Sequence, residues 1–231
     1  MKKIGLLGGL NQSLMMGYYE GLNQRVLEGS HQRASLNAVM VTWNQELFST
    51  QLKDRNKVRL IKELIYACDQ LKQMGAQVIA FTDPEINRYI PEIKKHLAIN
   101  ILSKEAILGN AMVESNINKV LLISDFNQAV DPYYIEAYSR YGVSLIVPPL
   151  KWVNKIRLDQ KKITNQNLSL EAFQMNLIGL IESYALKGIT GVILEGQFLE
   201  KIIEPSLLSV HVFKSTTLHL EALYKHLNLK L

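Results

Sequence analysis

Eight short runs rich in Val, Ile and Leu recur along the chain: KIGLLGG (3–9), LNAVMVTW (36–43), QVIAFT (77–82), INIL (99–102), KVLLIS (119–124), VSLIVP (143–148), GVILE (191–195) and VHVF (210–213). Most are near-continuous rather than alternating, as expected of strands covered on both faces by helices. Segments with helical spacing lie between them. Leu170, Phe173, Leu177, Leu180, Ile181 and Tyr184 form one stripe within residues 168–187, closed by Lys187-Gly188. Leu14, Tyr18, Leu22 and Val26 form another. The alternation predicts an α/β fold of parallel βαβ units, with functional groups at the carboxyl ends of the strands.

The chain also repeats itself. KKIGLLGG is similar to NKVLLISD (118–125), and GAQVIAFTD (75–83) to GITGVILEG (188–196), the latter pair offset by 113 residues. This predicts two similar parallel-sheet α/β lobes facing each other across a cleft, with Asp83 and Gly196 at equivalent strand tips. The expected division is 1–100 plus 209–231 for the first lobe and 101–208 for the second.

With 231 residues, 48% hydrophobic and 20% charged, the chain can bury a substantial core. Its net charge of +5 is too mild to single out nucleic acid as a partner. One cysteine, Cys68, excludes an internal disulfide and a thiolate metal cluster. It lies in LIKELIYACDQLKQM, whose Leu60, Leu64 and Leu71 spacing predicts a helix with a buried structural thiol. The opening MKKIGLLGGLNQ reads as a first strand rather than a leader, and no apolar run nears the roughly 20 residues of a membrane span. The expectation is a cytoplasmic protein with no membrane partner.

Asp83-Pro84-Glu85 has the signature of a helix start: aspartate at the N-cap, proline at the first helical position, glutamate in the first turn. A capping carboxylate would accept backbone N–H groups, which favours its ionised form and weakens it as a base. Glu195 is the acid nearest Gly196, although strand alternation directs it aside. Gly8-Gly9 after the first strand would let backbone approach a ligand, but no GxGxxG or GxxxxGK[ST] spacing follows. His31, His96, His211 and His226 lack metal-ligand spacing, so no metal site is expected. Lys151, Lys155, Arg157, Lys161 and Lys162 around Trp152 read as a solvated basic helix.

Several stretches together resemble the aspartate/glutamate racemase family. Gly8, Gly9, Tyr18, Tyr19 and Asn23 fall where that family's first loop and helix carry a glycine pair, a tyrosine pair and an asparagine. GAQVIAFTDPEINRYIPEI is similar to its first catalytic segment, KGITGVILEGQFLE to its second, and FKSTTLH (213–219) to its closing motif. The resemblance implies two α/β lobes related by a pseudo-twofold axis, no cofactor, a small carboxylate or amino acid bound between the lobes, and a homodimer. It also implies proton transfer by two cysteines on opposite faces of the substrate's Cα. Here the cysteine positions hold Asp83, followed by Pro84-Glu85, and Gly196, followed by Gln197-Phe198. Leu14 and Met15 replace Ser and Thr of many relatives, and Lys214 replaces the closing aspartate.

The substrate contacts the resemblance implies are Gly8, Gly9, Thr82, Ser124, Asn127, Gly196 and Gln197. The remaining candidates for chemistry are Asp83, Glu195 and His219. The favoured expectation is a racemase-like protein that cannot racemise by paired thiols and binds a small carboxylate or amino acid. One alternative is an active isomerase or lyase using Asp83 with Glu195 or His219. Another is an interaction module whose cleft is closed by Met15, Met16 and Phe198.

Overall fold

The computed structural model describes residues 1–29, 34–44, 46, 50, 57–124, 131–166 and 168–228. All eight predicted strands form. They build two four-stranded parallel sheets in two compact units, Met1–Ser103 with Leu220–Leu231, and Lys104–His219.

The first unit runs β1 (Ile4–Gly8), α1 (Gln12–Gly29), β2 (Ala38–Thr42), α2 (Lys57–Gln73), β3 (Val78–Phe81), α3 (Pro84–Asn87), α4 (Ile90–His96) and β4 (Asn100–Leu102). Its sheet order is β2-β1-β3-β4. Every residue of β1 and β3 is buried, because side chains of both parities meet helices. Leu7, Ile79 and Phe81 pack under α2 with Leu60, Leu64, Cys68 and Leu71. Ile4, Leu6, Val78 and Ala80 pack on the other face under Tyr18, Leu22 and Val26 of α1. Cys68 is fully buried, and burial pushes its thiol up to about 12.

The second unit repeats the plan with α5 (Lys104–Glu114), β5 (Lys119–Ser124), α6 (Pro132–Ser139), β6 (Ser144–Ile146), α7 (Leu150–Thr164), α8 (Leu170–Ala185), β7 (Gly191–Glu195), α9 (Gln197–Ile202) and β8 (His211–Lys214). Its order, β6-β5-β7-β8, matches that of the first sheet strand for strand. Leu121, Ile123, Val192 and Leu194 face α7 and α8, whereas Val120, Leu122 and Ile193 face α5 and α6. On α8 the stripe Phe173, Leu177, Leu180 and Ile181 is buried, but Leu170, expected to belong to it, is 42% exposed at the helix start. In α7 the basic side chains are largely solvated, with Lys155 and Lys162 flanking the buried Asp159.

The last helix, α10 (Ser215–Asn228), begins in the second unit and ends in the first, where Leu220, Leu223 and Leu227 complete the face above β1 and β3. The return to the first unit therefore falls at Leu220, not near residue 209, since β8 pairs with β7 as the edge of the second sheet. Among the described residues no helix is long and apolar enough to cross a membrane.

Candidate functional site

In each sheet the chain steps from the second strand across the first to the third, so the connections diverge between β1 and β3 and between β5 and β7. Crevices at the carboxyl ends of such strands are where open α/β sheets take ligands. Gly8, Gly9, Thr82 and Asp83 gather at the first tip, and Ser124, Glu195, Gly196 and Gln197 at the second.

At the first tip, Asp83 is 1% exposed. It is the N-cap residue of α3, as expected, but its carboxylate makes no capping hydrogen bond. It turns instead to the β1–α1 loop. Oδ2 accepts from Gly9 N at 2.7 Å and Leu10 N at 3.1 Å, and Oδ1 accepts from Asn11 N at 3.0 Å. Pro84 at the first helical position contributes no N–H, which leaves less for the carboxylate to cap. Three backbone donors thus hold one buried carboxylate in place.

The two glycines make this contact possible. A Cβ at Gly8 would lie 2.0 Å from Thr82 Oγ1 and 2.7 Å from Asp83 Oδ2. Gly9 has φ +127°, and its Cβ would meet Trp43 N at 2.6 Å. The N–H groups of Ser13 and Leu14, in the first turn of α1, donate to Asn11 Oδ1 at 3.0 and 3.3 Å. The Asn11 side chain thus serves two N–H groups of the first turn of α1.

Beside this loop, at the tips of β1 and β2, lies a cavity of about 740 Å³. Met15, Met16, Met40 and Trp43 form its apolar wall. Among the described residues Gln12, Thr42, Asn44 and Glu46 supply polar side chains, and Gly9 also lines it. Its size is that of a small-molecule site. Trp43, Asn44 and Glu46 escaped the sequence reading because the polar residues after β2 resemble any connecting loop.

At the second tip, Gly196 has φ 107° and ψ 142°, a backbone conformation essentially confined to glycine. Glu195 pairs with Lys104 at 2.6 Å, both side chains largely buried. Glu105 is 3% exposed nearby, and Tyr134 and Tyr138 are buried in the same neighbourhood. Burial first, then the charges of Glu105 and Glu195, push both phenols well above their ordinary range and keep them neutral. Lys104 and Glu105 were legible only as charges at the start of a helix.

Ser124 is buried opposite Glu195 in the sheet register, and Gln197 is half-buried at the start of α9. Asn127 lies outside the described residues. His219 is 1% exposed on α10. The first turn of that helix is held by Glu200, which accepts from Thr216 N at 2.6 Å, Thr217 N at 3.1 Å and Thr217 Oγ1 at 2.7 Å. Met15 belongs to the core under α1, Met16 is half exposed, and Phe198 packs on Phe173 with ring centroids 5.9 Å apart.

Known structures share this architecture. An aspartate racemase homologue from Pyrococcus horikoshii matches with TM-score 0.85 and 23% identity over 99% of this chain and 100% of that one. The fold is that of the aspartate racemases. A candidate Asp/Glu racemase from Yersinia pestis gives 0.82 and 20% over 98% and 99% of the two chains. Arylmalonate decarboxylase gives 0.58 and 11% over 99% and 94% of the two chains. No protein-family model matches the chain.

Proposed function

We propose that this chain is a divergent member of the aspartate/glutamate racemase family that does not racemise through paired thiols and binds an amino acid or other small carboxylate at its strand tips. The observation that carries this reading is Asp83. At the position where the resemblance expects the first thiolate stands a carboxylate whose two oxygens accept three loop N–H groups. Proton abstraction would require it to give up that solvation by the backbone. At the equivalent position Gly196 has no side chain to protonate the opposite face. A general acid or base contributes about 10²–10⁴-fold in rate, and here both members of a cooperating pair are replaced.

The alternative, an isomerase or lyase using Asp83 with Glu195 or His219, draws support from the fold shared with arylmalonate decarboxylase. The 2.6 Å pairing of Glu195 with Lys104 counts against it. Incubating aspartate, glutamate and other amino acids with the protein in D₂O separates the two. The proposal expects no catalysed α-deuteration. Enzymatic deuteration abolished by Asp83→Asn would replace it with the alternative. The homodimer implied by the resemblance is tested by light scattering.

A further inference from the structure

Among the described residues, one buried side-chain polar atom has no hydrogen-bond partner: the hydroxyl oxygen of Thr216, a residue 1% exposed in the first turn of α10. Its neighbours are served. The buried carboxylate of Glu200 accepts from the hydroxyls of Ser215 and Thr217 at 3.4 and 2.7 Å. It also takes the N–H groups of Thr216 and Thr217. Of the hydroxyls in Ser215-Thr216-Thr217, that of Thr216 alone is left over. Buried hydroxyls are rarely left so, because each has exchanged hydration for nothing.

The sheet register puts this hydroxyl at the second strand tip. Lys214 ends β8 and pairs with Leu194 of β7. Gly196 stands two residues beyond Leu194, and Thr216 two residues beyond Lys214. Neighbouring strands run about 4.8 Å apart, so the two residues leave the sheet side by side. Helical spacing aligns Thr216 with His219, Leu220, Leu223 and Leu227, all of them buried. That stripe is apolar from Leu220 onward and polar only at its strand-tip end.

What an unmet hydroxyl lacks first is an acceptor, since a buried donor without one costs more than an unused lone pair. An ammonium brings donors only, whereas a carboxylate brings acceptors only. The charge of Glu200 is met by four donors at the positive end of α10, which lessens its repulsion of a second carboxylate. We infer that Thr216 is a ligand contact at the second strand tip: its hydroxyl donates a hydrogen bond to a carboxylate oxygen of the bound amino acid or small carboxylate. This rests on the reading that such a molecule binds at the strand tips, and it names a residue that holds it.

The full-length protein and its Thr216→Val and Thr216→Ser variants are compared by thermal unfolding, alone and titrated with aspartate, glutamate, malonate and succinate, with circular dichroism checking the fold. Valine keeps the shape and drops the hydroxyl, whereas serine keeps the hydroxyl. Without ligand, Thr216→Val is expected to melt about 2–4 °C above the parent, the shift that removing one unmet hydroxyl gives a chain of this size. At least one acid is expected to raise the parent's midpoint and to bind Thr216→Val at least about tenfold more weakly. Thr216→Ser is expected to bind it within about threefold of the parent. A Thr216→Val protein that melts at or below the parent, or does not fold, overturns the inference, because the hydroxyl is then already satisfied, as by an ordered water. Equal binding by the parent and Thr216→Val, or equal loss in both variants, overturns the contact and leaves the small-carboxylate reading intact. No response of the parent to any of the acids refutes that reading and the inference with it.

Discussion

At the scale of single residues, Asp83 is the side chain on which most depends. Asp83→Asn keeps its shape but turns an N–H group toward backbone donors. The expected loss is about 2–3 kcal/mol in urea unfolding, the cost of leaving buried donors unpaired. A variant as stable as the parent would show that the three loop contacts carry little. Cys68 supplies a second expectation. With its thiol pushed up to about 12 by burial, it should resist a disulfide reagent in the folded protein and react as one thiol after denaturation.

His226 gives the pH dependence. Burial, and then the Lys2 ammonium, hold its pKa below the usual 6.5. The folded state therefore binds this proton less well than the unfolded chain, so the stability His226 contributes is complete above about pH 6.5 and declines as pH falls through the lowered folded value. His226→Gln should lose less stability than the parent between about pH 8 and pH 5. Equal losses in denaturant midpoints would refute this.

At the scale of elements, the two strand-tip helices differ in how they are entered. Both α3 and α9 follow the third strand of their sheet, yet Asp83 is in extended backbone and Gly196 in the glycine region. Any side chain at 196 is strained there. Gly196→Cys should lose about 1–3 kcal/mol rather than simply restoring the second thiol. The measurement is thermal unfolding of the variant beside the parent. The cap on α10 is the other element-level dependency, because Glu200 satisfies two of its first N–H groups.

These particulars also divide what was legible in the sequence from what was not. The strands were legible because continuous Val/Ile/Leu leaves few options once helices cover both faces. The repeat was legible because β3 and β7 sit at a constant offset. The partner of Asp83 was not. Asp-Pro-Glu reads as a local cap, and the carboxylate's turn toward Gly9 depends on a tertiary contact some seventy residues away in the chain. The Lys104–Glu195 ion pair and the Thr216 N–H donated to Glu200 were hidden for the same reason: contacts between residues distant in the chain have no periodic signature. Leu170 failed oppositely, since helical spacing continued to the first residue of α8, where the side chain is 42% exposed.

At the scale of the whole molecule, each sheet is covered in part by a helix that follows the last strand of the other sheet. Leu108 and Met112 of α5 lie in the second core after β4, and Leu220, Leu223 and Leu227 of α10 lie in the first core after β8. Leu223→Ala should cost about 2–5 kcal/mol, as for other buried leucines. It should speed amide exchange in β1 and β3 more than in β5 and β7. Uniform acceleration across both sheets would mean that the two units open together.

That arrangement sets an order for birth on the ribosome. Residues 104–219 are one uninterrupted stretch, so the later-made half can close its core as soon as it leaves the exit tunnel. The earlier-made half must wait, with the apolar face above β1 and β3 covered by α1 alone, until α10 emerges to complete its cover.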